Sequence, residues 1–380
     1  MMTFTNSTPD AFREILAEAR AVAESDPKKP GAVYINGWNE YTEGTYLLPN
    51  NFDADGALRA IATVFGRKPA GEYTYVNPST KQLLTIPAAT YENVPYGPHP
   101  KQKIDVFLPT GGRVPTRVAA GDRPNPCPVV IYMHGGGWAG GAMEDHILGY
   151  SIRMLLDRGV AVVAVGYRYL DDVAAAWGHA ALPGSAAGKG ANPPVMGCLD
   201  DCEAAVKFVK AHSGEYGIDV SRMALAGGSA GACTALYLAL KDGNSLGVGF
   251  VAPIIAQTSM DPLEMQKWIP DIAYGGHAFG CRDFGEWLSR RSEFLADIER
   301  ISPAALARRI DAEKAPVIFL QYETPPAKGG KSSDPTHSPV FGERFKELCR
   351  ERGIRCEIGY GGRPCFGDVF VKLVDALQSN

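Results

Sequence analysis

Residues 222–231 read Arg-Met-Ala-Leu-Ala-Gly-Gly-Ser-Ala-Gly, and the passage divides in two. In "RMALA" the four residues after Arg222 form a short apolar run, the pattern of a strand inside a sheet. "SAGACTALYLALK" (229–241) then places apolar residues at helical spacing. Between them, Gly227-Gly228-Ser229-Ala230-Gly231 has only small side chains, as a very tight strand-to-helix turn requires. A serine at the apex of that turn projects its hydroxyl above the sheet. The helix N-terminus beneath it favours a developing negative charge. Ser229 is the first candidate functional residue.

The same alternation extends both ways along the chain. "KIDVFLP" (103–109), "PVVIYMHGGG" (128–137), "GVAVVAVGYRY" (159–169), "VGFVAPII" (248–255), "APVIFLQYE" (315–323) and "IRCEIGY" (354–360) read as strands. "HILGYSIRMLLDRG", "MGCLDDCEAAVKFVKAHSGEYG" and "PVFGERFKELCRERG" read as helices between them. Strands alternating with helices predict an α/β fold with a mostly parallel central sheet and helices on both faces. Two stretches break the rhythm. Residues 170–195 are rich in Ala, Gly and Pro, and residues 257–300 carry Trp268, Tyr274, His277, Phe279 and Trp287. Long connections of this kind predict lid-like insertions or pocket walls.

"YMHGGGW" (132–138) closes the strand that begins at 128. Successive glycines let backbone N–H groups turn inward and hold an oxyanion, each donor contributing about 3 to 4 kcal/mol in other enzymes. The expected donors are Gly136 and Gly137, joined by Ala230 after the serine. A phosphate loop is the competing reading, but the GK[ST] ending is missing.

With both motifs in this order, residues from about 71 to 380 resemble the α/β-hydrolase superfamily. The branch is that of carboxylesterases akin to hormone-sensitive lipase and to small acetyl or feruloyl esterases. The resemblance implies that His134 and Gly135 are structural members of the oxyanion loop. It also implies a triad in the order serine, acid, histidine. The acid expected after the strand ending at Glu323 is Asp334, with Glu323 as runner-up. The histidine expected after "IRCEIGY" is absent: Pro364 stands in its register, thirty residues beyond Asp334. Proline cannot accept a proton. Three outcomes stay open: an impaired site, a substitute histidine (His337 on the acid-bearing loop, then His277), or a contribution from Cys365.

Residues of about 4–68 resemble the end of a glycan-active (β/α)8 barrel with a WNEWxEG signature, here Trp38-Asn39-Glu40-Tyr41-Thr42-Glu43-Gly44. One or two β/α units cannot close such a barrel. The expected division is therefore an N-terminal barrel-like remnant at 1–70 and a hydrolase domain at 71–380.

Composition excludes other classes. A net charge of −4 without a basic cluster argues against nucleic acid. The N-terminus does not read as a signal peptide, and no apolar run reaches a membrane-spanning length, so a cytoplasmic location is the default expectation. The eight irregularly spaced cysteines read as free thiols, with no metal site. The expected function is serine ester hydrolysis with no cofactor and a small ester substrate, carbohydrate-linked in one reading. The alternative is an impaired homologue with a ligand-binding or accessory role in glycan processing.

Overall fold

The structure is a computed structural model describing residues 12, 14–19, 39–40, 45–46, 72–76, 83–109, 126–143, 149–177, 192–326, 333–361 and 367–378. Pro364, Cys365, His146 and His179 lie outside the described residues. The chain divides into two compact units, Met1–Ala88 and Ala89–Asn380.

In the first unit, residues 14–19 are helical. Asn39–Glu40 pairs antiparallel with Thr45–Tyr46, and the rest of the WNEYTEG stretch lies outside the described residues. A second antiparallel pair joins Glu72–Val76 to Leu83–Pro87. This hairpin was expected in the hydrolase domain but groups with the first unit. It forms a two-stranded sheet of its own, separate from the eight-stranded one.

The second unit holds the eight-stranded sheet. Its strands are β1 (Tyr91–Pro95), β2 (Lys103–Phe107), β3 (Cys127–Met133), β4 (Ala161–Val165), β5 (Ile218–Gly228), β6 (Phe250–Ile254), β7 (Val317–Tyr322) and β8 (Cys356–Tyr360). The spatial order is β1-β2-β4-β3-β5-β6-β7-β8. β1 and β2 run antiparallel to their neighbours, and the other pairs are parallel. "VVIYM" in β3 and "AVVAV" in β4 are buried throughout, as central parallel strands covered on both faces should be. The helices that connect them are α1 (Gly149–Asp157), α2 (Leu170–Ala176), α3 (Val195–Ala211), α4 (Ala230–Leu240), α5 (Val340–Glu351) and α6 (Gly367–Gln378). Every residue of α4 is buried, which matches a sequence apolar on all sides.

Chain order reverses around β3, with β4 on one side and β5 on the other. Such a switch point opens a crevice at the carboxyl ends of the strands. Met133 pairs with Gly227, so the segments after β3 and β5 leave the sheet side by side. The insertion at 257–300 folds into short helices, Pro262–Trp268, Phe284–Ser289 and Leu295–Ile301. Trp287 is core, stacked 4.8 Å from Phe279 and edge-on to Phe284 at 5.8 Å.

An ion pair between half-buried Arg168 and buried Asp201 fixes the exit from β4. Arg168 donates from Nε to Asp201 Oδ2 at 2.9 Å and from a terminal nitrogen to Oδ1 at 2.7 Å. The Arg168 backbone N–H and Gln102 Nε2 also donate to this carboxylate, at 3.0 and 2.7 Å. Asp201 is only 3% exposed. Removing Asp201 leaves the half-buried Arg168 guanidinium without its partner, which costs less than the roughly 3 to 5 kcal/mol of a fully buried pair. Asp201→Ala is therefore expected to lower unfolding stability by about 1 to 3 kcal/mol, read from urea denaturation at constant slope.

Candidate functional site

Ser229 follows β5 directly and precedes the first residue of α4. Its backbone lies at φ 52° and ψ −116°, a sparsely populated region that costs on the order of 1 to 3 kcal/mol. The surroundings enforce it. Ser229 N–H donates to Ile254 O at 2.9 Å, and its own carbonyl accepts from Cys233 N at 3.0 Å. The flanking glycines have steric reasons. A Cβ on Gly227 would stand 2.8 Å from Ala232 N, and one on Gly231 would stand 2.5 Å from His134 O.

Ser229 Oγ lies 2.9 Å from His337 Nε2, and His337 Nδ1 lies 2.7 Å from Asp334 Oδ2. The structure thus brings Ser229, His337 and Asp334 into one hydrogen-bonded chain. Asp334 and His337 are three residues apart on one 3-10 turn, Pro335–His337, with proline in its first position. Proline fixes φ there without losing a needed N–H. The other carboxylate oxygen of Asp334 accepts from Thr336 N at 3.1 Å and His337 N at 3.3 Å. One carboxylate therefore caps the turn and orients the ring. Gln257 Nε2 donates to Thr336 O at 2.6 Å and ties the turn to the start of the second insertion.

An ionised carboxylate only accepts, so its contact sets the Nδ1–H tautomer and leaves the Nε2 lone pair facing Ser229. Burial pushes the Asp334 carboxyl up. The hydrogen bond and charge of His337, with the two backbone N–H groups, outweigh that and hold it below the usual carboxylate range. Asp334 is ionised at neutral pH. Its side chain is 58% exposed and that of His337 29%, so the pair borders solvent. Glu323, the other acid considered, is exposed at the end of β7.

The glycine segment after β3 wraps the other side of the serine. A Cβ on Gly135 would stand 3.5 Å from Ser229 Cβ. Gly136 and Gly137 have φ of 102° and 63°, the left-handed region that favours glycine. Gly136 O accepts from Ala139 N at 3.0 Å, so the N–H of Gly137, on the opposite side of the same planar peptide, points away from that turn. His134 is 1% exposed and stacks on Tyr167 with centroids 4.2 Å apart. Tyr167 Oη donates to His134 O at 2.8 Å. Trp138 Nε1 donates to Thr234 Oγ1 of α4 at 3.0 Å. The loop is thereby braced from below and from the helix that carries the serine.

His277 sits apart from the Ser229–His337 pair, with Nε2 3.0 Å from Gly137 O. Burial holds its imidazole below the ordinary histidine range, only partly offset by that hydrogen bond. It is a neutral N–H donor to the loop. Sequence reasoning ranked it as a base and missed this contact, because nothing local in "YGGHAFG" points to residue 137. His212 stacks on Phe208 at the end of α3 and His99 lies in the turn before β2. Among the described residues, no helix is long and apolar enough to cross a membrane.

Comparison with known proteins follows the two-unit division. The family model BD-FAE matches residues 119–179 and 191–304, and the model Glycosyltransferase WbsX matches residues 1–61. Kynurenine formamidase of Salmo salar is 39% identical over 80 residues, 21% of this chain and 23% of its own. The probable isoprenylcysteine alpha-carbonyl methylesterase ICMEL1 of Oryza sativa subsp. japonica is 29% identical over 155 residues, 40% of this chain and 28% of its own. The chain thus spans roughly a quarter of the length of these curated relatives. Among solved structures, a truncated form of a carbohydrate esterase from gut microbiota superposes with a TM-score of 0.50 at 16% identity, covering 76% of this chain and 95% of that one.

Proposed function

By fold the second unit of this chain is an α/β-hydrolase, and on that premise we propose that it is a serine carboxylic ester hydrolase working through an acyl-enzyme. The observation that carries the proposal is the continuous chain Ser229 Oγ, His337 Nε2, His337 Nδ1, Asp334 Oδ2, with contacts of 2.9 and 2.7 Å. As Ser229 Oγ bonds to the ester carbonyl carbon, its proton passes to His337 Nε2. The backbone N–H groups of Gly136, Gly137 and Ala230 hold the resulting oxyanion. The carbon to leaving-group bond then breaks, and His337 returns the proton to the departing alcohol. Water repeats the sequence to release the acid. Asp334 keeps the ring in the productive tautomer and stabilises the imidazolium.

The alternative of an impaired homologue rested on Pro364, and His337 at hydrogen-bond distance from the serine argues against it. A carbohydrate-linked ester is the substrate class we favour. The solved neighbour is a carbohydrate esterase, and residues 1–61 match a glycosyltransferase family model.

With p-nitrophenyl acetate, the expected result is an initial burst of nitrophenolate approaching one per protein, followed by slower turnover. Rapid acid quench and peptide mass mapping should find one acetyl group, on the peptide containing Ser229. Label on another residue, or none during turnover, would sink the acyl-enzyme reading.

A further inference from the structure

The second insertion reaches the oxyanion loop at two points, and only one of them is satisfied by protein. His277 Nε2 bonds to Gly137 O at 3.0 Å. Tyr274 packs edge-on against His277 with centroids 4.7 Å apart. Its hydroxyl occupies the space that a Cβ on Gly137 would need, and His277 Nε2 is 3.2 Å from that same point. Tyr274 is half-buried, and its hydroxyl has no hydrogen-bond partner among the described residues. Only a glycine at 137 lets the phenol approach so close to the backbone. A donor at van der Waals distance from the residue whose N–H serves the oxyanion, itself unpaired, is placed to share that oxyanion.

Resting on the ester hydrolase reading above, we infer that Tyr274 is a further catalytic residue, donating its O–H to the oxyanion formed from the substrate carbonyl. Burial and the nearby Cys233 thiol push the Tyr274 phenol above its ordinary range, so it stays protonated and able to donate across the neutral and mildly alkaline range. His277 is then a positioning residue: it fixes the Tyr274 ring against the loop and anchors the Gly137 carbonyl.

The test is Tyr274→Phe, which removes one oxygen and leaves the ring contacts in place. Steady-state hydrolysis of p-nitrophenyl acetate is followed beside wild type and Ser229→Ala, together with inhibition by phenylboronic acid, whose serine adduct mimics the tetrahedral intermediate. The expected result is kcat lower by about 10- to 100-fold with KM nearly unchanged. Phenylboronic acid inhibition should weaken by a similar factor. An unchanged kcat, or a loss confined to KM, would overturn the inference while leaving the esterase reading intact, provided Ser229→Ala is inactive. Wild type no faster than Ser229→Ala would remove both. Thermal unfolding of Tyr274→Phe within a few degrees of wild type excludes a folding effect, and His277→Gln, which keeps an amide donor, should retain more activity than His277→Ala.

Discussion

His337→Ala is expected to abolish ester turnover almost as completely as loss of the serine, with kcat falling on the order of 10⁴-fold or more. The residual rate should reflect binding and the oxyanion loop alone. Nothing else described in the site can take the proton from Ser229. His277 is engaged with Gly137 O through Nε2. Glu323 is exposed at a strand end, and Asp334 is held as a carboxylate on the far side of the ring. The companion substitution Pro364→His, in the otherwise intact protein, should leave kcat within a few-fold. Ser229 has one proton to give, and in the proposed mechanism His337 receives it. Stopped-flow nitrophenolate release decides the matter. A His337→Ala protein retaining a tenth of the wild-type rate would show that the base lies elsewhere. Pro364→His raising the rate by orders of magnitude would show that the 2.9 Å contact is unproductive.

That Ser229, the glycine segment and Asp334 would gather at one place was legible in the sequence because each position depends on local chain geometry. A strand-to-helix turn admits only small residues, and a glycine run adopts positive φ. The base was harder. It was expected thirty residues beyond Asp334, where Pro364 stands, and His337 entered only as the leading substitute; the structure pairs His337 with its near neighbour in the chain. The local signal was present in "DPTH": Asp caps, Pro sets the first position, and a residue three places on must face the cap. Reading that turn geometrically would have ranked His337 first without reference to any distant register.

The fold was legible wherever burial is continuous. All seven strands read from apolar runs are present, because central parallel strands must be apolar on both faces. The edge strand β1, "YENVP", escaped notice, since its side chains are mostly half-buried and it carries polar residues. Helix α6 escaped as well, although its last described turns hold the buried Leu373, Val374 and Leu377. The strands at 72–76 and 83–87 were counted with the residues from 71 onward, because strand propensity does not say with which partner a strand pairs. Such long-range pairing is decided by contacts far apart in sequence, beyond the reach of a window of a dozen residues.

Gly231→Ala should be among the most damaging single-methyl additions in the protein, and two principles disagree about its sign. Gly231 lies one residue into α4. Helix propensity alone favours alanine there by roughly 0.5 to 1 kcal/mol. Packing opposes it. The added Cβ would stand 2.5 Å from His134 O and 2.7 Å from Met133 C, and Met133 O is closer still. These are backbone atoms of a buried central strand and its exit, so neither side can rotate away. Relief requires α4 to move from β3, and such overpacking costs about 1 to 3 kcal/mol or more, which exceeds the propensity gain. The same displacement draws Ser229 from the oxyanion loop, where a misplacement of about 1 Å costs on the order of 100-fold in rate. The expected result is a net loss near 2 kcal/mol in urea unfolding together with that loss in kcat. Gly214→Ala, where a Cβ meets nothing within 4 Å, is the control and should be neutral or slightly stabilising. A Gly231→Ala protein as stable and active as wild type would mean that the closeness of β3 to the nucleophile helix, on which the whole site depends, is not a property of the folded molecule.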